Sequence, residues 1–336
     1  MVLAIYPPCV LNKYRKVKVH YTPAIEEAVE ELYKACAGLG TDEAALVKVL
    51  GTKSSEERAM ISFLYKEKYN TTLRELVKGE TSGDFGYLLQ LLSMSMPDAE
   101  AFILYHAMAG VGTTDNLIYP IVLGRSNEEL DVLKKAFYEH YDKDLTVMLD
   151  GELSGDYHTV IMTAMQEVLV EFKGSFHTSK KAEEDAETIY GAGEGKWGTD
   201  SKAFIKTLLA SPPQHVKNIN KQYIEKYGHD LVKAIDAEFS GVAATALKFF
   251  VRLATEPWEL LADQLHKTMA GMGTDENKLS MLIVRFHPYL GKVKTIYEDK
   301  FKLSLREHIH TEANGKYGEL LLHVLEAPVS VGGDFA

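Results

Sequence analysis

Apolar residues in this chain recur at three- and four-residue spacing in short runs that stop and restart, and no segment alternates like a strand. Residues 22–37 set the type: behind Thr22 and Pro23, the positions Ile25, Ala28, Val29, Leu32, Tyr33 and Cys36 form one stripe. That is the spacing of a helix with a single buried face, with threonine as N-cap and proline in the first helical position. Gly38 is the expected stop, and Thr41-Asp42-Glu43 opens a second helix with acids in its first turn, where the helix dipole favours them. Ser54-Ser55-Glu56-Glu57 opens a third and Asn70-Thr71-Thr72 a fourth. Ser82-Gly83-Asp84 opens a fifth that turns Phe85, Leu88, Leu89 and Leu92 inward. The predicted unit is five short helices.

The unit repeats. Gly38-Leu39-Gly40-Thr41, Gly110-Val111-Gly112-Thr113 and Gly271-Met272-Gly273-Thr274 share Gly-x-Gly-Thr, and Lys196-Trp197-Gly198-Thr199 keeps the last three positions. A second phrase follows each first one: Glu80-Thr81-Ser82-Gly83, Glu152-Leu153-Ser154-Gly155, Glu238-Phe239-Ser240-Gly241 and Glu312-Ala313-Asn314-Gly315. From threonine to glutamate the interval is 39, 39, 39 and 38 residues. Such fixed self-similarity is the mark of stacked supersecondary units that share a core. The repeats are drawn at 22–95, 96–171, 183–254 and 257–327. Residues 1–21 are a basic N-terminal arm, 172–182 a polar linker between two halves, and 328–336 a tail. The expected fold class is all-α.

Composition narrows the function. With 336 residues, 46% hydrophobic and 25% charged, the chain reads as a folded globular protein. No apolar run approaches the roughly 20 residues of a spanning helix. Met1-Val2-Leu3-Ala4-Ile5-Tyr6-Pro7-Pro8 lacks the basic start and the long apolar core of a signal peptide. The two cysteines, Cys9 and Cys36, have neither metal nor redox spacing, which fits a reducing interior, so a cytoplasmic location is expected. The net charge is -11, yet Lys13, Arg15, Lys16 and Lys18 stand in the first 20 residues without an acid, leaving -15 on the remainder. Nucleic acid is thereby disfavoured as a partner. An acidic body is also repelled by anionic lipid, so membrane binding calls for a divalent cation to invert the local charge.

Taken singly, each phrase is cap chemistry: a glycine helix stop, a threonine start, a solvated glutamate. Their pairing at a fixed interval points further. Two glycines one residue apart let a loop turn several carbonyls toward one point, because glycine tolerates positive φ. Carbonyl oxygens suit calcium, which takes six to eight oxygens in irregular geometry. One glutamate from a second loop closes the site, and water with a lipid phosphate completes the shell. Metal and headgroup then strengthen each other's binding. The residues at the loop tips, Leu39, Val111, Trp197 and Met272, are all apolar. They either fold back onto their own helices or enter the interfacial region of a bilayer, where tryptophan is at home.

Other features carry less. Gly193-Glu194-Gly195-Lys196-Trp197-Gly198 matches a dinucleotide fingerprint literally but follows a helical stretch instead of a strand. No zinc-protease, nucleophile-elbow or EF-hand pattern occurs, and no enzyme activity is expected. His308 and His310, two apart, face away from each other on a helix and read as solvated or capping residues. Met94, Met96, Met162 and Met165 read as core.

At the paired phrases the sequence resembles the annexin family over residues 21–327. The resemblance implies a curved, right-handed superhelical disk of four five-helix repeats, with calcium loops on its convex face and reversible docking on acidic phospholipid. By position it implies a first site from the carbonyls of Cys36, Gly38 and Gly40 with the carboxylate of Glu80. The second takes Met108, Gly110 and Gly112 with Glu152, the third Gly193, Lys196 and Gly198 with Glu238, and the fourth Met269, Gly271 and Gly273 with Glu312. Three departures mark a distant member. The fourth repeat is one residue short before Glu312 and runs through Arg285-Phe286-His287-Pro288, which puts the reach of its acid in doubt. Pro212-Pro213 stands at a helix start in the third repeat. The arginine usual after the second helix is Lys53 in the first repeat and missing in the third. Divergent protist annexins, the alpha-giardins among them, also associate with cytoskeleton and flagella. A helical scaffold for a cytoskeletal protein such as tubulin, with weak or vestigial calcium binding, is therefore the alternative function.

Overall fold

A computed structural model describes residues 2–37, 40–110, 112–166 and 169–329. Among them the chain forms 21 α-helices and no strand. A short α1 (Pro8–Tyr14) is followed by four sets of five. The first is α2 (Pro23–Ala35), α3 (Glu43–Thr52), α4 (Ser55–Tyr69), α5 (Leu73–Glu80) and α6 (Gly83–Leu92). The second is α7 (Met96–Met108), α8 (Asp115–Val122), α9 (Asn127–Tyr141), α10 (Leu145–Glu152) and α11 (Gly155–Gln166). The third is α12 (Ser179–Ala192), α13 (Ser201–Leu209), α14 (Pro213–Tyr227), α15 (Leu231–Glu238) and α16 (Gly241–Thr255). The fourth is α17 (Pro257–Met269), α18 (Glu276–Arg285), α19 (Leu290–Phe301), α20 (Leu305–Glu312) and α21 (Gly315–Glu326).

Local chemistry sets the boundaries. Ser54 caps α4 and Thr72 caps α5, each in a reciprocal capping box, with Glu57 and Glu75. Asn70 ends α4 in the left-handed region at φ 53°, a conformation asparagine tolerates. The first helix of the first repeat stops at Ala35 with Cys36 as its C-cap, earlier than the glycine stop expected from sequence. Gly38 itself lies outside the described residues.

The helices gather into two compact units, one of Leu104–Leu260 and one of Ala4–Ile103 with the chain from Leu261 on. The first holds the second and third repeats, and the second holds the first and fourth. In the Leu104–Leu260 unit α8 packs on α16 and α11 on α13. In the other, α3 packs on α21 and α6 on α18. That crossing is close: a Cβ at Gly51 would stand 2.9 Å from the His323 Cβ. Ile25, Leu32, Leu46, Leu50, Ile61 and Leu73 are fully buried there. Each contributes about 1.5–3 kcal/mol relative to exposure.

The basic arm is packed, not separate. Leu3, Ile5, Tyr6 and Val10 are buried, and the Tyr289 hydroxyl donates to the Ala4 carbonyl at 2.9 Å. The Tyr6 hydroxyl donates to the buried Glu100 carboxylate, whose other oxygen takes Arg285. The Lys13 ammonium sits 3.5 Å over the Phe63 ring, a favourable cation–π placement. Two further expectations are corrected. The linker's last residues are helical, since Thr178 caps α12 from Ser179. His308 is buried, with Nδ1 2.5 Å from the Tyr297 hydroxyl, while His310 is exposed as expected.

Candidate calcium and lipid loops

Each repeat presents a loop between its first two helices, and the four loops share a backbone. Gly40, Gly112, Gly198 and Gly273 have φ of 90°, 89°, 81° and 92°, a region closed to most side-chain-bearing residues. One hydrogen bond closes each loop. Asp42 N–H donates to the Ala35 carbonyl at 2.8 Å, Thr114 to Ala107 at 2.9 Å, Asp200 to Ala192 at 2.7 Å and Asp275 to Thr268 at 2.8 Å. The third loop is one residue longer, which accounts for the Lys196 variant of the phrase. Asp42, Asp200 and Asp275 then cap the following helices through their side chains. In the second repeat the cap is Thr114, whose side chain makes no capping bond.

The glutamates fall where the interval predicts. Glu80, Glu152, Glu238 and Glu312 are each the last residue of the fourth helix of their repeat. In the first repeat the Thr41 hydroxyl donates to the Glu80 carboxylate, and in the third the Thr199 hydroxyl donates to Glu238. Gly193 meets the same carboxylate, because a Cβ there would stand 2.9 Å from Glu238 Cγ and 3.1 Å from its Cδ. The Glu80 charge also registers at Cys36, where burial first and that carboxylate second push the thiol pKa up to about 11. Two distant phrases thus converge in two repeats.

The other two repeats differ. Thr274 donates to the backbone carbonyl of Glu312, at 3.4 Å, not to its carboxylate. The missing residue lies elsewhere: Phe286 alone separates α18 from a 3-10 turn, His287–Tyr289, that replaces the first turn of the third helix. From Phe301 to Glu312 the count equals that from Tyr69 to Glu80. The acid therefore ends its helix in phase. In the second repeat no hydrogen bond joins Thr113 to Glu152 among the described residues.

The remaining candidates are placed as follows. Met108 and Met269 end α7 and α17 with buried side chains, so what they can offer a cation is the free carbonyl of a helix C-terminus. The Gly193 carbonyl accepts from Lys196 N–H at 3.1 Å. Nothing lies within 4 Å of a Cβ built at Gly40, Gly110, Gly112, Gly198, Gly271 or Gly273, so these loops are open on their outer side. Trp197 and Met272 are fully exposed, at 104% and 106%, which excludes folding back for these two. Leu39 and Val111 lie outside the described residues. No group of three or more His, Cys, Asp or Glu side chains able to hold a metal occurs among the described residues. Backbone oxygens plus one carboxylate fit a hard cation such as calcium and suit a thiophilic metal poorly.

The Annexin family model matches four segments, residues 27–92, 97–164, 184–248 and 261–324. The chain belongs to the annexin family. It is similar to annexin A7 of Dictyostelium discoideum, 36% identical over 299 residues, which are 88% of this chain and 64% of that protein. With annexin A13 of Mus musculus it shares 33% over 316 residues, 94% of this chain and 99% of the relative. The structure of a calcium-bound annexin (Sm)1 superposes with a TM-score of 0.78 at 25% identity, covering 91% of this chain and 92% of that one. Annexins as a family bind acidic phospholipid in a calcium-dependent way. In this annexin no helix among the described residues is long and apolar enough to cross a membrane.

Two features of this annexin escaped the sequence reading. Behind each loop, a ring near the end of the first helix stacks on a ring at the end of the third. The pairs are Tyr33 on Tyr69 at 4.3 Å, Tyr105 on Tyr141, Tyr190 on Tyr227 and His266 on Phe301, the last three at 3.9 Å. The signal was an aromatic-x-x-x-aromatic pair closing every third helix: Tyr65/Tyr69, Phe137/Tyr141, Tyr223/Tyr227 and Tyr297/Phe301. The second feature is a pair of tyrosines. Tyr157 donates to the Asp115 carbonyl at 3.1 Å and Tyr317 to the Glu276 carbonyl at 2.9 Å, tying the fifth helix to the start of the second.

Proposed function

We propose that this annexin docks on acidic phospholipid by holding calcium between its loops and the headgroups, without covalent chemistry. The carbonyls of Cys36, Gly38 and Gly40 with Glu80, and of Gly193, Lys196 and Gly198 with Glu238, form the two principal sites. Met108, Gly110 and Gly112 with Glu152, and Met269, Gly271 and Gly273 with Glu312, form two weaker ones. The observation that carries this reading is the hydrogen bond from Thr41 to Glu80 and its copy from Thr199 to Glu238, which aim one carboxylate at each glycine loop before any cation arrives. Poor in charge and open outward, such a site gains affinity from a phosphate oxygen. The exposed Trp197 and Met272 enter the interfacial layer beside it, each contributing about 1.5–3 kcal/mol. Net charge of -11 makes the cation obligatory on an anionic surface.

Cosedimentation with phosphatidylserine vesicles tests the reading. The chain is expected to pellet in calcium and to remain in the supernatant with chelator. Equal pelleting in both, or none in either, overturns it.

A further inference from the structure

The third loop differs from the other three in length, glycine content and charge. Between the carbonyl and the N–H of the closing bonds stand six residues in the first, second and fourth repeats, 36–41, 108–113 and 269–274, and seven in the third, 193–199. Three of the seven are glycine, against two of six elsewhere, and glycine loses more freedom on ordering than any other residue. Such a loop needs more to hold it still. It also contains Glu194, the one acid in the four stretches of sequence.

Glu194 spends both carboxylate oxygens on the body of its own repeat. Oε2 accepts from the Tyr223 hydroxyl at 2.7 Å, and Oε1 lies 3.2 Å from His229 Nε2. Tyr223 is fully buried near the end of α14. Burial first and the Glu194 carboxylate second push its phenol pKa up, so the hydroxyl stays a donor. A hydroxyl given to a carboxylate is one of the stronger hydrogen bonds. Glu194 and His229 are themselves half-buried, which shields their contact from water.

These contacts fasten the loop to α15 at both ends of that helix. His229 stands just before Asp230, the N-cap of α15. At the other end Gly193 lies against Glu238, whose carboxylate takes the Thr199 hydroxyl. Between the two, Gly195 sits on the Tyr190 ring, where a Cβ would stand 2.8 and 2.9 Å from two ring carbons, and Tyr190 is stacked on Tyr227. Gly193 and Lys196, one and two residues from Glu194, are the carbonyl donors assigned to this loop. Anchoring Glu194 therefore fixes where those carbonyls sit relative to Glu238. The second and fourth repeats have no counterpart: Phe137 stands where Tyr223 does, Tyr297 pairs with His308, and neither loop holds an acid.

We propose that Glu194 is a positioning residue of the third calcium loop: tied to Tyr223 and His229, it holds the carbonyls of Gly193 and Lys196 in register with Glu238 and so sets the calcium demand of that site, a role that rests on the calcium reading above.

Two readouts on the full chain test it. With Trp258→Phe, Trp197 is the sole tryptophan and reports on the loop in chelator. Its time-resolved anisotropy is expected to show more nanosecond motion in Glu194→Ala, and a smaller increase in Tyr223→Phe, which keeps the ring and the charge. Unchanged motion in Glu194→Ala overturns the proposal whether or not the loop binds calcium.

The second readout is the calcium needed for half-maximal binding to phosphatidylserine vesicles, in a Glu80→Gln background so that the third site carries the demand. Glu194→Ala is expected to raise it about tenfold with the same plateau at saturating calcium, and Glu194→Gln, which keeps an acceptor for Tyr223, by much less. Equal costs for Ala and Gln would make Glu194 a charge and not a tie, which overturns the proposal. So does a further tenfold cost of Glu194→Ala once Glu238→Gln has already removed the site. Should Glu238→Gln alone leave the demand of the Glu80→Gln chain unchanged, the loop reading fails and the calcium role of Glu194 with it; a rise there with none in Glu194→Ala overturns only this proposal.

Discussion

The odd and even repeats build the same loop on different supports. In the first and third, a threonine hydroxyl holds the distal carboxylate, while the position two residues after the Glu-x-Ser-Gly glycine is Phe85 or Ala243. In the second and fourth that position is Tyr157 or Tyr317, whose hydroxyl grips the first turn of the second helix, and among the described residues no threonine hydrogen-bonds to the carboxylate. Since the first repeat shares a unit with the fourth and the second with the third, each unit has one loop of either kind. The lesson is that a sequence phrase can persist while the contact behind it changes. Among the described residues the glycine before the threonine has the same positive φ in all four loops, but a threonine holds the carboxylate in two.

The largest consequence falls on the glutamates. Glu80→Gln with Glu238→Gln removes both aimed carboxylates and is expected to raise the calcium needed for half-maximal vesicle binding about 100-fold. Glu152→Gln with Glu312→Gln is expected to raise it about threefold. Calcium-titrated cosedimentation reads both, with far-UV circular dichroism to establish equal helix content. Equal costs for the two pairs would erase the functional meaning of the alternation.

Much of this was legible in the sequence because the repeat multiplies weak signals. A glycine stop or a threonine cap is ambiguous alone, but four copies, three at an interval of 39 residues and one at 38, made the helix count, the loops and the helix ends bearing Glu80, Glu152, Glu238 and Glu312 legible. What escaped depends on direction in space. The one-residue deletion before Glu312 pointed to an acid out of phase, yet a 3-10 turn at His287–Tyr289 absorbs it at the other end of the third helix. Spacing counts residues and is blind to where a connection takes up slack. Sequence spacing makes His308 a solvated or capping residue that faces away from His310, but the Tyr297 hydroxyl gives its ring a buried partner, and such a partner comes from a different helix. The packed arm escaped because Lys13, Arg15, Lys16 and Lys18 dominate its composition, whereas Tyr6 and Val10 decide its position.

A finer cut leaves every ligand in place. Thr199→Val keeps the volume and the carboxylate but removes the hydroxyl that orients it, an outer-shell change expected to cost about tenfold in calcium affinity at that site. Thr274→Val should leave affinity unchanged, because its hydroxyl is spent on a backbone carbonyl at 3.4 Å. Titration calorimetry beside phosphatidylserine bilayers separates the two. A matching loss in both variants would mean that threonine serves the loop backbone in every repeat, and orientation of the acid would no longer distinguish them.

The smallest effect belongs to the tyrosines and runs in a different currency. Tyr157→Phe and Tyr317→Phe keep the ring and remove one hydrogen bond each, to Asp115 and Glu276 carbonyls that begin their second helices. A neutral bond of this kind contributes about 1 kcal/mol, and the carbonyl left behind can turn to its own helix or to water. Tyr317 also lies 3.0 Å from the Ser280 hydroxyl, so its loss leaves a second polar group short of a partner and should exceed that of Tyr157. Urea unfolding should therefore show a lower midpoint with an unchanged slope, more so for Tyr317→Phe, while the calcium demand on vesicles stays put. Should calcium demand move instead, the even repeats would be using the tyrosine as the odd ones use the threonine, to set the distance between loop and glutamate, and the two kinds of support would be one device in two forms.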